Sequence, residues 1–135
     1  MEKQEPKVFI SYSHQDADKE WRKEFVRALQ QQGVDVWLDE TRIRPGDSIS
    51  DAIEAGLRGS DTIIYLINPE SLKSAYLYFE LGAAMGMNKR LVAIVPQDID
   101  LSQLPQPFRV RKFLWRQSPQ ETANAFLCDV SGKAA

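Results

Sequence analysis

Apolar positions along this chain alternate between a strand period and a helix period. Lys7 to Ser13 has a β-rich apolar centre, Val8-Phe9-Ile10, and then runs into a polar loop, which predicts a strand feeding a turn. Trp21, Phe25, Ala28, Leu29 and Gln32 follow at spacings of three and four, with Arg22, Lys23, Glu24 and Arg27 between them, so an amphipathic helix is expected. Asp16 or Asp18 can cap it, and Gly33 is its C-terminal stop. Val34 to Leu38 is a second short strand, and Asp39 to Asp47 a loop turning at Pro45-Gly46. After a cap at Asp47 or Ser48, the positions Ile49, Ala52, Ile53, Gly56 and Leu57 give another helical face. Thr62 to Ile67 is apolar throughout, as expected of a central strand covered on both sides.

Asn68-Pro69 interrupts the pattern, and a helical run then carries Leu72, Ala75, Phe79 and Ala83 as an apolar stripe to about Met87. Arg90 to Val95 is a fourth strand ended by Pro96, and Gln97 to Pro107 reads as an irregular connection. A short strand at Lys112 to Trp115 and a helix from about Pro119 to Val130 complete the order. Strands alternating with helices across short loops require crossovers, hence a parallel sheet with helices on both faces. The expected fold class is therefore α/β, a flavodoxin-like three-layer sandwich with a five-stranded parallel sheet. Ligands of such folds gather beyond the carboxyl ends of the strands, here Ser11-Tyr12-Ser13, Asp39 with the Arg42 and Arg44 loop, and the entry to the Glu80 helix.

A length of 135 residues, 43% hydrophobic and 27% charged, fits one domain with a sizeable core. Lys and Arg total 17 against 19 for Asp and Glu, a net charge of -2 with no long run of one sign, so nucleic acid is not an expected partner. No apolar stretch approaches the roughly 20 residues that span a bilayer, and the polar start Met1 to Pro6 does not resemble a secretory signal. A cytoplasmic, membrane-free protein is expected. A single cysteine, Cys128, and a single histidine, His14, exclude an internal disulfide and an ordinary zinc site, so no metal is expected. Cys128 reads as a small hydrophobe and His14 as a solvated loop residue.

The chemistry concentrates at one position. Between Lys73 and Lys89, Glu80 is the only charged residue, and Tyr76 lies one helical turn before it on the same face. A structural helix normally puts no carboxylate into so apolar a setting. The bland alternatives are a rim charge paired with Lys73 or Lys89, core packing for Tyr76, loop hydrogen bonding for Asp39, and solvation for Arg42 and Arg44.

Val8-Phe9-Ile10-Ser11-Tyr12-Ser13, Val36-Trp37-Leu38-Asp39, Arg44-Pro45-Gly46-Asp47 and the helix from Ser71 to Leu81, in that order, resemble the Toll/interleukin-1 receptor (TIR) domain, in particular its prokaryotic-type members. The resemblance spans residues 7–130 as one TIR domain and leaves 1–6 and 131–135 as tails. In the catalytic branch of the family it implies cleavage of NAD at the nicotinamide-ribose bond, with NAD as substrate, no separate cofactor, and Glu80 at the position of the key glutamate. The family usually has a tryptophan and a cysteine four and three residues before that glutamate, where this chain has Tyr76 and Leu77. An aromatic plane is kept and the cysteine is not.

One carboxylate is enough for such a reaction. Nicotinamide leaves as a neutral base from a cationic pyridinium, so it needs no general acid, and a carboxylate can hold the ribose and stabilise oxocarbenium character. In this reading Tyr76 stacks on the nicotinamide, Arg42 and Arg44 meet the diphosphate, Asp39 lies beside them, and Tyr12 and Ser13 contact the base or ribose. The main rival is a non-enzymatic adaptor in which the Thr41 to Ser48 loop docks on a neighbouring TIR domain; the resemblance implies self-association under either reading. A nucleoside-processing transferase is a further rival, since it too sets a carboxylate beside a ribose. A phosphoacceptor domain would need acidic residues where Ser11-Tyr12-Ser13 stands, and a dinucleotide oxidoreductase would need a glycine-rich first turn.

Overall fold

Each crossover from one strand to the next brings its helix back over the sheet, and the sequence does this four times. A computed structural model describes residues 6–12, 18–38, 49–73 and 75–131. Its strands are β1 (Lys7–Ser11), β2 (Asp35–Leu38), β3 (Thr62–Leu66), β4 (Arg90–Val95) and β5 (Leu114–Trp115). All pairs are parallel and the order is β2-β1-β3-β4-β5, the flavodoxin-like arrangement. β3 is central and buried along its whole length, as its unbroken apolar run predicts.

Alternation along the strands builds two cores. Val8 and Ile10 of β1 and Tyr12 just beyond it, with Ile64, Leu66 and Ile94, face α1 (Lys19–Gln31) and α6 (Pro119–Ser131) through Phe25, Leu29, Ala123 and Phe126. Phe9, Ile63, Tyr65, Ile67, Ala93 and Val95 point the other way, to α2 (Ile49–Arg58) and α4 (Ala75–Gly86) through Leu57, Leu77, Leu81 and Ala84. Gly56 lets α2 close on this face: a Cβ there would stand 2.8 Å from Trp37 and 2.9 Å from Phe9, whose rings stack at 4.8 Å.

Helix α1 ends as its Gly33 foretells. Gly33 has φ +86°, its N–H donates to the Gln30 carbonyl, and the N–H of Val34 reaches back to Leu29, the Schellman pattern. At the other end Asp18 occupies the N-cap without a capping bond; Asp16 lies outside the described residues. Arg22, expected on the outer side, is buried, and Gln32, expected on the inner face, is exposed.

The helical run after β3 is divided. Asn68 caps a short helix α3 (Pro69–Leu72), its side chain accepting from the Ser71 N–H at 2.8 Å, and the Tyr78 hydroxyl takes the Leu72 carbonyl at 3.0 Å. Helix α4 starts afresh at Ala75. The expected stripe is corrected accordingly: Ala75 and Phe79 are exposed, and the buried face is Leu77, Glu80, Leu81 and Ala84. The segment expected to be irregular holds a 3-10 turn (Leu101–Gln103) and a helix α5 (Gln106–Arg109), closed by Leu104 and Phe108 in the core. Among the described residues no helix is long and apolar enough to cross a membrane.

Candidate active site

Position 80 falls on the buried side of α4 because the helix packs through Leu77, Leu81 and Ala84, and residues three or four apart share a face. Glu80 is 1% exposed, so it is no rim charge. Lys89, one of its possible rim partners, directs its ammonium to the Arg58 carbonyl at 3.1 Å.

Two hydroxyls from the sheet meet this residue. Ser11 and Tyr65 are direct register partners across β1 and β3, and each has the strand parity that points to α4. The Ser11 hydroxyl donates to Glu80 Oε1 at 2.6 Å, a length typical of a hydroxyl on a charged acceptor. The Tyr65 hydroxyl donates to the Glu80 backbone carbonyl at 3.2 Å. Burial pushes the Tyr65 phenol well above its ordinary range, and the nearby Glu80 charge adds to that, so it remains a donor at any working pH. The glutamate is thus held at its side chain and at its main chain, at the place where β1 and β3 adjoin although α1, β2 and α2 separate them in sequence. That is the topological switch point, where folds of this order bind ligands.

Of the residues singled out in the sequence, the structure places Glu80 at this point and Tyr76 one turn earlier in α4, with its side chain outside what is described. Tyr12 follows Ser11 and therefore turns to the opposite sheet face, where it is 6% exposed under the Arg22 guanidinium, 3.9 Å from the ring centre. Ser13, Asp39, Arg42, Arg44 and the Thr41 to Ser48 loop lie outside the described residues. Sequence reasoning missed Ser11 and Tyr65 as partners of Glu80. Strand parity was the available signal, because Phe9 and Ile63 share their faces.

A second polar group stands at the same end of the sheet. Arg116, after β5, bonds Asp18 at 2.6 Å and lies 4.6 Å over the Trp21 ring, and its hydrogen bond, helped by its charge, holds the Asp18 carboxyl below the usual range. Arg116 and Asp18, with Asn68, Asp98 and Asp100, line a groove of about 380 Å³ beyond β3, β4 and β5. Asp18 therefore fastens α1 to the far edge of the sheet rather than capping its own helix.

This fold and this buried glutamate define a TIR-type domain, and comparison places the chain there. A family model described as the TIR domain matches residues 8–127, and the chain belongs to that family. It is 37% identical over 81 residues to the 2' cyclic ADP-D-ribose synthase AbTIR of Acinetobacter baumannii, covering 57% of this chain and 29% of that protein. It is 34% identical over 74 residues to the 2' cyclic ADP-D-ribose synthase BtTIR of Bacteroides thetaiotaomicron, covering 55% of this chain and 25% of that protein. The chain thus corresponds to less than a third of either relative's length. Among solved structures, the TIR domain of a Toll-related receptor from Hydra magnipapillata superposes with a TM-score of 0.72 at 17% identity, covering 93% of this chain and 94% of that one, which shows the shared fold.

Proposed function

We propose that this domain cleaves NAD at the nicotinamide-ribose bond, with Glu80 as the group that stabilises the transition state. The observation that carries the reading is a carboxylate on the buried face of an otherwise uncharged helix, at the switch point of the sheet, oriented by a hydroxyl at 2.6 Å. The C1'–N bond breaks with its electron pair passing to the ring nitrogen, so the pyridinium becomes neutral nicotinamide and needs no proton. Positive charge then gathers on the ribose, and a carboxylate fixed against it lowers the barrier without reorganising. Water attacking C1' and losing a proton gives ADP-ribose; a hydroxyl of the same molecule doing so gives a cyclic isomer. The relatives named as 2' cyclic ADP-D-ribose synthases support the second outcome. A nucleotide product of this kind fits a messenger in bacterial immune signalling and antiviral defence, the role the resemblance implies. Tyr76, Asp39, Arg42, Arg44 and Ser13 remain proposed substrate contacts, whereas Tyr12, packed in the core on the opposite face of the sheet, is withdrawn from that set.

At 1% exposure Glu80 is covered in the described conformation, so a ribose reaches it only after neighbouring groups give way. We expect self-association to supply that opening, with activity rising faster than protein concentration. The same burial favours a second reading, a TIR scaffold in which Glu80 is an internal polar tie and assembly is the function. Concentrated protein is incubated with NAD, and nicotinamide and its partner product are followed by chromatography and mass spectrometry beside Glu80→Gln. Release that depends on Glu80 supports the enzyme; equal release by the variant removes Glu80 from the chemistry; no release by assembled protein leaves the scaffold.

A further inference from the structure

Resting on the NAD-cleaving reading, we propose that Ser11 is a positioning residue for that reaction: its hydroxyl fixes the rotation of the Glu80 carboxylate through Oε1, while Tyr65 fixes the seat of the Glu80 backbone. The geometry is a two-point hold from a single register pair. Ser11 and Tyr65 stand side by side on β1 and β3, one bond reaching the side chain at 2.6 Å and the other the carbonyl at 3.2 Å. A glutamate has free rotation about its side-chain bonds, and a carboxylate that must face a developing charge gains most when that rotation is already spent. Tyr65 sets where α4 lies against the sheet at residue 80; Ser11 sets which way the carboxylate plane faces.

Packing alone does not ask for a hydroxyl here. Ser11 is 3% exposed, and its neighbours of the same parity on this sheet face are Phe9, Ile63 and Ile67, so an apolar side chain would fill the place. A buried hydroxyl is retained at no penalty only where it has an acceptor, and the acceptor is Glu80. Ser11 does not react. It acts through the carboxylate, so its loss should slow the chemical step and leave substrate affinity in place.

The test compares wild type, Ser11→Ala, Ser11→Thr and Glu80→Gln by initial rates of nicotinamide release over a range of NAD concentrations, with the thermal midpoint of each. Ser11→Ala is expected to lower kcat about 10- to 100-fold, the value of one hydrogen bond to a charged group, with KM for NAD within about twofold. Ser11→Thr restores the hydroxyl and should recover most of the loss. If Ser11→Ala does not fold, Ser11→Cys keeps a weaker donor and is read in its place, with a smaller loss in kcat in the same direction expected. An unchanged kcat, an effect confined to KM, or a loss that threonine does not repair overturns the positioning role. If wild type outpaces Glu80→Gln while Ser11→Ala matches wild type, only the role of Ser11 falls. If wild type releases no nicotinamide, the enzymatic reading falls and the role of Ser11 with it.

Discussion

Stability separates a catalytic glutamate from an architectural one more sharply than activity does. Glu80→Gln keeps the shape of the side chain and leaves an oxygen to accept the Ser11 hydroxyl, so on the Ser11 side it exchanges a charged acceptor for a neutral one. The bond from Ser11 changes from charge-assisted to neutral, which costs about 1 kcal/mol. Against this, a carboxylate that is 1% exposed carries a dehydration penalty, and neutralising it returns free energy of at least similar size. The two nearly cancel, and the thermal midpoint of Glu80→Gln is expected within about 3 °C of wild type. An internal strut behaves otherwise: removing one member of a buried charged pair costs about 3–5 kcal/mol, a fall on the order of 10 °C or more in a domain of this size.

Activity should move in the opposite proportion. A full charge about 4 Å from a developing cation, at an effective dielectric near 20, is worth about 4 kcal/mol, or about a thousandfold in rate. Calorimetry and nicotinamide release on the same preparations give both numbers. A midpoint lowered by 10 °C, or a rate for Glu80→Gln above about a tenth of wild type, would refute the reasoning that Glu80 is kept for chemistry.

Two further expectations concern the frame. Gly56→Val sets a branched side chain where even a Cβ stands 2.8 Å from Trp37, so urea unfolding should show a loss of about 2 kcal/mol or more; an unchanged midpoint would mean that the Phe9–Trp37 stack is not fixed in place. The Asp18 carboxyl is held below its ordinary value of 3.8, first by the hydrogen bond from Arg116, so the stability it contributes is present above that pH and lost as pH falls through the folded value. Its side chain is 43% exposed, which screens the pair to less than about 1 kcal/mol. Arg116→Ala should therefore destabilise slightly at pH 7, and the gap to wild type should narrow below about pH 4; a gap that is constant with pH would assign the effect to the lost stacking on Trp21.

The sheet was legible because its strands are short, apolar and separated by turn residues at each end, and because a continuous apolar run such as Thr62 to Ile67 fits only a central strand. The division of the third crossover was not legible. Asn68 and Pro69 announce a helix start, but the break after Leu72, across which the Tyr78 hydroxyl donates to the Leu72 carbonyl, has no glycine or proline to mark it. In the separate helix α4, Phe79 is 46% exposed and Glu80 faces inward. The glutamate itself was visible by contrast with its apolar surroundings. Its partners were not, since strand parity puts Ser11 on the face of Phe9 and Tyr65 on that of Ile63, but only the register between β1 and β3 sets the two hydroxyls side by side.

The position of Glu80 follows from topology more than from the helix that bears it. Because β1 and β3 are neighbours in space but not in sequence, the crossovers that leave them diverge, and the carboxyl ends of the two strands are where folds of this order form a ligand crevice. Helix α4 leaves β3 by way of α3 and packs beside α2, and the face it must bury is fixed by Leu77, Leu81 and Ala84. An apolar residue at position 80 would complete that face at lower cost than a dehydrated carboxylate. Packing therefore accounts for where the side chain points and fails to account for its charge. On the proposed NAD-cleaving reading the charge has a use: it would face a ribose that becomes cationic as nicotinamide leaves, with the Ser11 hydroxyl, 2.6 Å from Oε1, fixing the carboxylate's orientation.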